Sequence, residues 1–325
     1  MKRTAYEECL FKRIITSIEK NGGNDCLSSI ILTGSFGRNE PTYALDSGGV
    51  IHLKSDIEIA LVYPQCASKK KINTIIKNVS CEFEEELNLM PINEHRIKNM
   101  HNFNYTFISP KYKTIFTYDL FNGSKTIWGK DLIEQKCLPL EMVDMYEAKR
   151  LVANRIAEMV YLQSNSPEDH MFYLKTQWKG KIILAIVSAW LICEKEYSSS
   201  YHEQYKKFET YKDRAESTFG KGFYEDYRKV FCFLRECGEP YDIPDEIMVK
   251  YIKCTDDYLY DQNICKPKVN SISRNLKYFV KYYKTKSHYG ILNFEDNILQ
   301  AIITDYWMKS NKITYDAEIW HNVLY

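Results

Sequence analysis

Between Ile30 and Val62 the chain carries two short apolar runs, each joined to polar residues in a way that leaves few options for the backbone. The first, Ile30-Ile31-Leu32, stops at Gly34-Ser35-Phe36-Gly37-Arg38. Three branched or apolar residues closed by a glycine predict a short buried strand and a tight turn. A Gly-Ser turn that opens a helix offers unpaired backbone N–H groups to an anion. The second run is Asp56-Ile57-Glu58-Ile59-Ala60-Leu61-Val62. On a strand, Asp56 and Glu58 point to the same face, because side chains alternate with a period of two. Two carboxylates beside a phosphate cradle are a donor set for Mg²⁺ carrying a nucleoside triphosphate. Gly-Ser before an aromatic is common in turns, and Asp-x-Glu commonly marks a solvated strand face. The inference rests on both occurring in this order, each attached to its own apolar strand.

These residues resemble the signature of the DNA polymerase beta-like nucleotidyltransferase superfamily: an apolar strand, Gly-Ser, a gap, then Asp-x-Asp or Asp-x-Glu in a second strand. Gly34, Ser35, Asp56 and Glu58 fill those positions. The wording is particularly similar to the small-molecule branch that includes kanamycin nucleotidyltransferase. One departure is the gap between Ser35 and Asp56, which is longer than the family's and contains Pro41, Gly48 and Gly49. The stretch from Glu40 to Lys54 is therefore expected to be an inserted loop or hairpin. Asp46 is a rival first carboxylate, but Ser47-Gly48-Gly49 follows it rather than a strand, so Asp56 is preferred.

The resemblance implies a third carboxylate on a neighbouring strand, facing the first two. Asp119 is the candidate, in Thr114-Ile115-Phe116-Thr117-Tyr118-Asp119-Leu120-Phe121, whose β-branched and aromatic residues before Asn122-Gly123 predict a strand and a turn. Trp128-Gly129-Lys130-Asp131 resembles a segment with which the chain leaves the sheet in these enzymes. The resemblance also places a helical domain after the core, with the triphosphate between the two. Lys175 and Lys179, four residues apart on one predicted helix face, together with Lys181, are the cations expected to meet the phosphates. Ser200 and Tyr201, in Tyr197-Ser198-Ser199-Ser200-Tyr201, are expected to contribute a hydroxyl. Arg38 has two open roles, phosphate contact or pairing with Glu40 or Asp46.

The expected fold is α/β (α+β): a nucleotidyltransferase core, residues 1–139, with a mixed β-sheet flanked by helices, then a C-terminal helical bundle domain, residues 140–325. Tyr6 to Glu19 has helical spacing, with Leu10, Ile14, Ile15 and Ile18 on one side. Ile72 to Leu89 reads as a charged helix or crossover, and Tyr105 to Ile108 as a further strand. From Glu141 the pattern turns helical, over Met142 to Leu162, Met171 to Lys195 and Phe223 to Arg235. Pro139 marks the boundary.

Composition narrows the classes. With 44 Lys and Arg against 43 Asp and Glu, the net charge of +1 gives no global electrostatic case for nucleic acid. The stretch Ser273 to Tyr289 interleaves lysines with aromatics and keeps single-stranded nucleic acid open, although an amphipathic helix in a chain of 26 tyrosines looks the same. Ten cysteines include no Cys-x-x-Cys, and His95, His101, His170 and His202 lack metal-ligand spacing, so no zinc site is expected. The longest apolar run, Ile182 to Cys193, is too short for a bilayer, and Glu7 and Glu8 interrupt any leader-like start. A cytoplasmic protein without membrane partners is the expectation.

Together the resemblance implies Mg²⁺- or Mn²⁺-dependent transfer of a nucleoside monophosphate from an NTP to an acceptor hydroxyl, most simply on a small molecule, with pyrophosphate released. Asp56, Glu58 and Asp119 would hold metal or take the acceptor proton, while Gly34 and Ser35 hold phosphates. Open alternatives are a second-messenger synthase or toxin-like RNA-modifying enzyme, a degenerate nucleotide-binding relative, and a helical interaction protein. The nucleotide, the acceptor, the metal count and the oligomeric state are not specified by these residues.

Overall fold

A computed structural model of the chain describes residues 3–45, 51–101, 113–134, 137–165, 171–236 and 238–262. The chain divides into two compact units between Met142 and Val143.

The first unit is mixed α/β, built on a four-stranded sheet in the order β5-β4-β1-β6. Its strands are β1 (Ser29–Leu32), β4 (Ile57–Tyr63), β5 (Leu87–Asn93) and β6 (Lys125–Gly129). β1 runs antiparallel to both β4 and β6, whereas β5 runs parallel to β4. A parallel neighbour needs a crossover, and helix α3 (Lys69–Ser80) supplies it. The expected helix-like stretch from Ile72 to Leu89 thus ends at Ser80, and its last residues belong to β5. Pro91 lies within β5 and has no N–H to donate, which an edge strand tolerates.

One face of the sheet is covered by α1 (Arg3–Lys20) and α3. Leu10, Ile14 and Ile18 of α1, Ile72, Ile75 and Val79 of α3, Ile30 and Leu32 of β1, and Ile57, Ile59 and Leu61 of β4 form one buried apolar cluster. Each such side chain contributes about 1.5–3 kcal/mol on burial, which holds this face of β1 and β4 against the helices, while Ile31, Ala60 and Val62 of the opposite face are buried as well. Glu58, Ala60 and Val62 consequently lie on the other face. The insertion after Ser35 contains a two-stranded antiparallel ribbon of β2 (Tyr43–Leu45) and β3 (Ile51–Leu53), paired Tyr43 to Leu53. Helices α2 (Gly34–Gly37) and α4 (Glu94–His101) complete this part of the unit.

The segment carrying Asp119 is a helix, α5 (Ile115–Asn122), and not the expected strand. Thr114 caps it, its Oγ1 accepting from Thr117 N at 3.1 Å. Thr117, Leu120 and Phe121 are its buried residues. Their i, i+3, i+4 spacing matches a helix face, and tertiary burial prevails over the β propensity of Ile, Phe, Thr and Tyr. Asp46, Tyr105 to Ile108 and Ser273 to Tyr289 lie outside the described residues.

The described part of the second unit is helical: α6 (Tyr146–Asn165), α7 (Met171–Cys193), α8 (Tyr201–Glu209), α9 (Lys212–Phe219), α10 (Phe223–Arg235) and α11 (Asp245–Asp261). Residues Ile182 to Ile192 of α7 are buried without a polar side apart from Ser188, the pattern of a helix enclosed by others. Trp190 stacks on Tyr258 of α11 with ring centroids 4.4 Å apart and tilts against Phe219 of α9 at 5.4 Å. The long apolar run is therefore the core of this unit. No described helix is long and apolar enough to cross a membrane.

Candidate functional site

The C-terminal end of β1 and the N-terminal ends of β4, β5 and β6 share one edge of the sheet, and the sequence motif converges there. Thr33 continues β1 in extended conformation and begins α2. Its N–H and its Oγ1 both donate to the backbone carbonyl of Glu58, at 2.9 and 3.2 Å. A threonine in this position ordinarily accepts from the second or third N–H of the helix. Here its side chain makes no such cap. Gly37 N and Arg38 N close backbone bonds to Thr33 O and Gly34 O, and Asn39 N and Glu40 N close further ones to Phe36 O and Ser35 O. The N–H groups of Gly34, Ser35 and Phe36, which precede the first helical bond, have no acceptor within α2.

Gly34 has φ +59°, in the left-handed region, and a β-carbon there would overlap the Glu58 carboxylate. The carboxylate of Glu58 therefore lies directly against the Gly-Ser turn, which needs glycine for its conformation and leaves room for a β-carbon only if the Glu58 side chain swings away. Gly37 is confined similarly: a β-carbon would meet Gly123 O at 2.6 Å and Leu32 O at 2.7 Å. Phe36 anchors the turn from behind, almost fully buried and edge-on to Phe11 of α1 at 5.3 Å. Ser35 is 8% exposed, and its Oγ is buried with no hydrogen-bond partner. A buried hydroxyl without a partner is costly and calls for an explanation.

Asp56 immediately precedes β4 and is half-buried. It lies two residues before Glu58, just outside the strand. Arg38 is drawn toward Glu40, its Nε 3.7 Å from the carboxylate, with both side chains largely buried. Of its two open roles the structure shows the pairing.

Asp119 stands on α5 rather than on a strand beside β4. Its carbonyl accepts from Gly123 N and Ser124 Oγ. Burial pushes the neighbouring Tyr118 phenol up, and the charges of Asp119, Cys137 and Glu141 add to it. Asp119 therefore stands on a helix and not on the expected strand, and among the described residues no group of three or more His, Cys, Asp or Glu side chains is arranged to hold a metal.

The strand that does adjoin β4 is β5, and there the register identifies residues that sequence reading missed. Glu58 pairs with Asn88 and Ile57 with Leu87, and Ile57 N donates to Glu86 O at 2.8 Å. Glu86, exposed just before β5, is thus in backbone register with Asp56, and Asn88 shares a face with Glu58. In the sequence Glu86 ends Glu84-Glu85-Glu86, which looks like a charged helix surface. Only the parallel register with β4 distinguishes it from its neighbours.

In the second unit the expected phosphate-binding residues have partners of their own. Lys179 is 2% exposed, and its Nζ donates to Asp242 Oδ1 at 2.9 Å and to Ile243 O at 2.5 Å. It also pairs with Asp245 Oδ1 at 2.8 Å, while Lys175 Nζ meets Asp245 Oδ2 at 2.6 Å. Burial raises the Asp245 carboxyl, but bonds from Lys175 and Lys179 outweigh it and hold the group below its ordinary value. Lys181 Nζ lies 3.9 Å from the centre of the Trp178 ring. Ser200 caps α8, accepting from Glu203 N at 3.1 Å, and Tyr201 carries the Arg235 guanidinium on its ring at 3.9 Å. Each of these residues therefore has a packing or capping role within its own unit.

No protein-family model matches the chain, and no curated protein matches it.

Proposed function

We propose that the first unit is a nucleotidyltransferase core of the DNA polymerase beta-like kind, transferring a nucleoside monophosphate from an NTP to an acceptor hydroxyl with release of pyrophosphate. The second unit is then the helical domain that accompanies such cores. The observation that carries this reading is the uncapped Gly34–Phe36 turn pressed against Glu58, with the buried Ser35 Oγ lacking a partner. A triphosphate oxygen is the acceptor these donors lack.

Mg²⁺ commonly uses one or two carboxylates together with substrate phosphates. The pair Asp56 and Glu58, two residues apart beside an anion site, fits that requirement. Bound there, the ion would offset phosphate charge and polarise the α-phosphorus. The chain's own residues do the rest. The N–H groups of Gly34 to Phe36 and the Ser35 hydroxyl hold the β and γ phosphates, which fixes the α-phosphorus for in-line attack. The same donors steady pyrophosphate as its charge grows. Glu86, in register with Asp56 just before β5, accepts the proton of the attacking hydroxyl, the role the sequence had suggested for Asp119. The acceptor is a small molecule in the simplest form of this reading; a second-messenger or RNA product would use the same residues.

A second reading, a nucleotide-binding relative without turnover, is favoured by Asn88 in register with Glu58, where a third acid could have stood. The deciding experiment measures pyrophosphate release from α-labelled ATP, GTP, CTP and UTP with Mg²⁺ or Mn²⁺, over aminoglycosides, sugars and transfer RNA, comparing the parent chain with Asp56→Asn. Release that disappears in Asp56→Asn supports transfer. Nucleotide binding without release in the parent supports the second reading, and neither binding nor release rejects both.

A further inference from the structure

Helix α3 carries a second feature, which does not depend on the reading of the Gly-Ser turn. Its inward face is Ile72, Ile75 and Val79. At 100° per residue the opposite face gathers Lys69, Lys70, Asn73, Thr74, Lys77 and Asn78 into one largely open surface. No acidic residue occurs anywhere in Lys69–Ser80. Among the described residues Lys69, Lys70 and Lys77 have no carboxylate partner. Lys71, beside this surface, has only a loose pairing with Asp25 at 3.4 Å, both side chains being well exposed.

The placement of the first three of these lysines works against the helix, while Lys77 sits favourably in its last turn. Lys69, Lys70 and Lys71 occupy the first turn, where the helix dipole disfavours a cation by about 0.3–1 kcal/mol each. Ser68, at the cap position, makes no side-chain bond to relieve it. In a chain of net charge +1, a helix bearing four lysines and no acid is a local concentration that balanced composition conceals.

We infer that this face of α3 binds the phosphodiester backbone of a nucleic acid. The three unpaired lysines extend over about 12 Å along the helix, a length that meets several successive phosphates. Asn73 adds a neutral amide, a group that commonly contacts phosphate or sugar, whereas the Asn78 amide donates to Asn21 Oδ1 at 3.0 Å. This surface has no aromatic for base stacking and no apolar side chain for insertion into a lipid surface. Binding is therefore electrostatic and indifferent to sequence.

The test uses the full chain and fluorescence anisotropy with a labelled 20-nucleotide RNA strand and a 20-base-pair DNA duplex, titrated between 50 and 200 mM salt. The triple variant Lys69→Gln, Lys70→Gln, Lys77→Gln is compared with a control, Lys12→Gln, Lys206→Gln, Lys221→Gln, in which the same charge is removed elsewhere. Removing three phosphate contacts should lower the slope of log affinity against log salt by about 2 for the strand and about 3 for the duplex. The control should keep the parent slope, and thermal unfolding of the α3 variant should occur no lower than in the parent, because the dipole conflict is relieved. Equal slopes in the α3 variant and the parent, or no binding of either probe by the parent at 50 mM salt, would overturn the inference. Tighter binding to vesicles of anionic lipid through the same lysines would overturn it too, assigning the surface to a membrane.

Discussion

The α-carbon of Gly34 lies so close under the carboxylate of Glu58 that no other residue fits without moving one of them. This contact joins the two halves of the sequence motif, 24 positions apart, into a single surface. Gly34→Ala meets both the overlap and the left-handed backbone at φ +59°. The conformation alone costs about 1–2 kcal/mol for an L-residue. Melting is expected to fall by several degrees and triphosphate affinity at least tenfold, as scanning fluorimetry and ATP titration would show. A variant that binds ATP like the parent would separate the turn from the nucleotide.

Ser35 offers the opposite signature. Its hydroxyl is buried without a partner, so Ser35→Ala removes a desolvated group and leaves a smaller, satisfied side chain. Stability by urea unfolding should be unchanged or higher by about 1 kcal/mol. Affinity for triphosphate should drop by roughly fivefold to tenfold, the worth of one hydrogen bond to a charged acceptor. A serine with a purely structural role would lose stability and leave affinity alone.

Glu86 and Asp119 can be told apart by turnover. Glu86→Gln is expected to lower pyrophosphate release by about a hundredfold or more at unchanged ATP affinity, the usual effect of losing a general base. Asp119→Asn, on α5, should remain within about threefold of the parent. The reverse order would return the third carboxylate to α5 and leave Glu86 a surface residue.

Lys179 should prove structural. Lys179→Met leaves Asp242 and Asp245 without their buried cation, and unfolding should become easier by about 2 kcal/mol. That is less than the roughly 3–5 kcal/mol of a fully buried pair, since the carboxylates are 36% and 38% exposed. Because the Asp245 carboxyl is depressed in the fold, its contribution is present above its ordinary value of 3.8 and declines as pH falls through the lower folded value. Acid unfolding curves of the variant should show that component reduced but not abolished, because Lys175 still pairs with Asp245. Nucleotide affinity should be unaffected; a tenfold loss would restore Lys179 to the phosphates.

The local elements were legible where one signal dominated. The run Ile30-Ile31-Leu32 is too short and too apolar for anything but a buried strand, and Leu10, Ile14 and Ile18 repeat at a helical period. Thr114 to Phe121 was misleading because propensity and periodicity disagree there, and burial of Thr117, Leu120 and Phe121 prevailed. The lysines of α7 looked available because a sequence shows a cation without showing its partner. Asp242 and Asp245 are more than sixty residues away along the chain.

The sequence by itself determined that Gly34 and Ser35 follow a buried strand and that Leu10, Ile14 and Ile18 turn inward, since these follow from neighbours within a few residues. Only the tertiary structure decided that Glu58 closes over Gly34, that Asp119 stands on a helix, that Glu86 comes into register with Asp56, and that Lys179 is already paired. Each of those depends on strand register or on helix packing between distant segments, where one residue of slip exchanges the two faces of a strand and the local pattern reads the same.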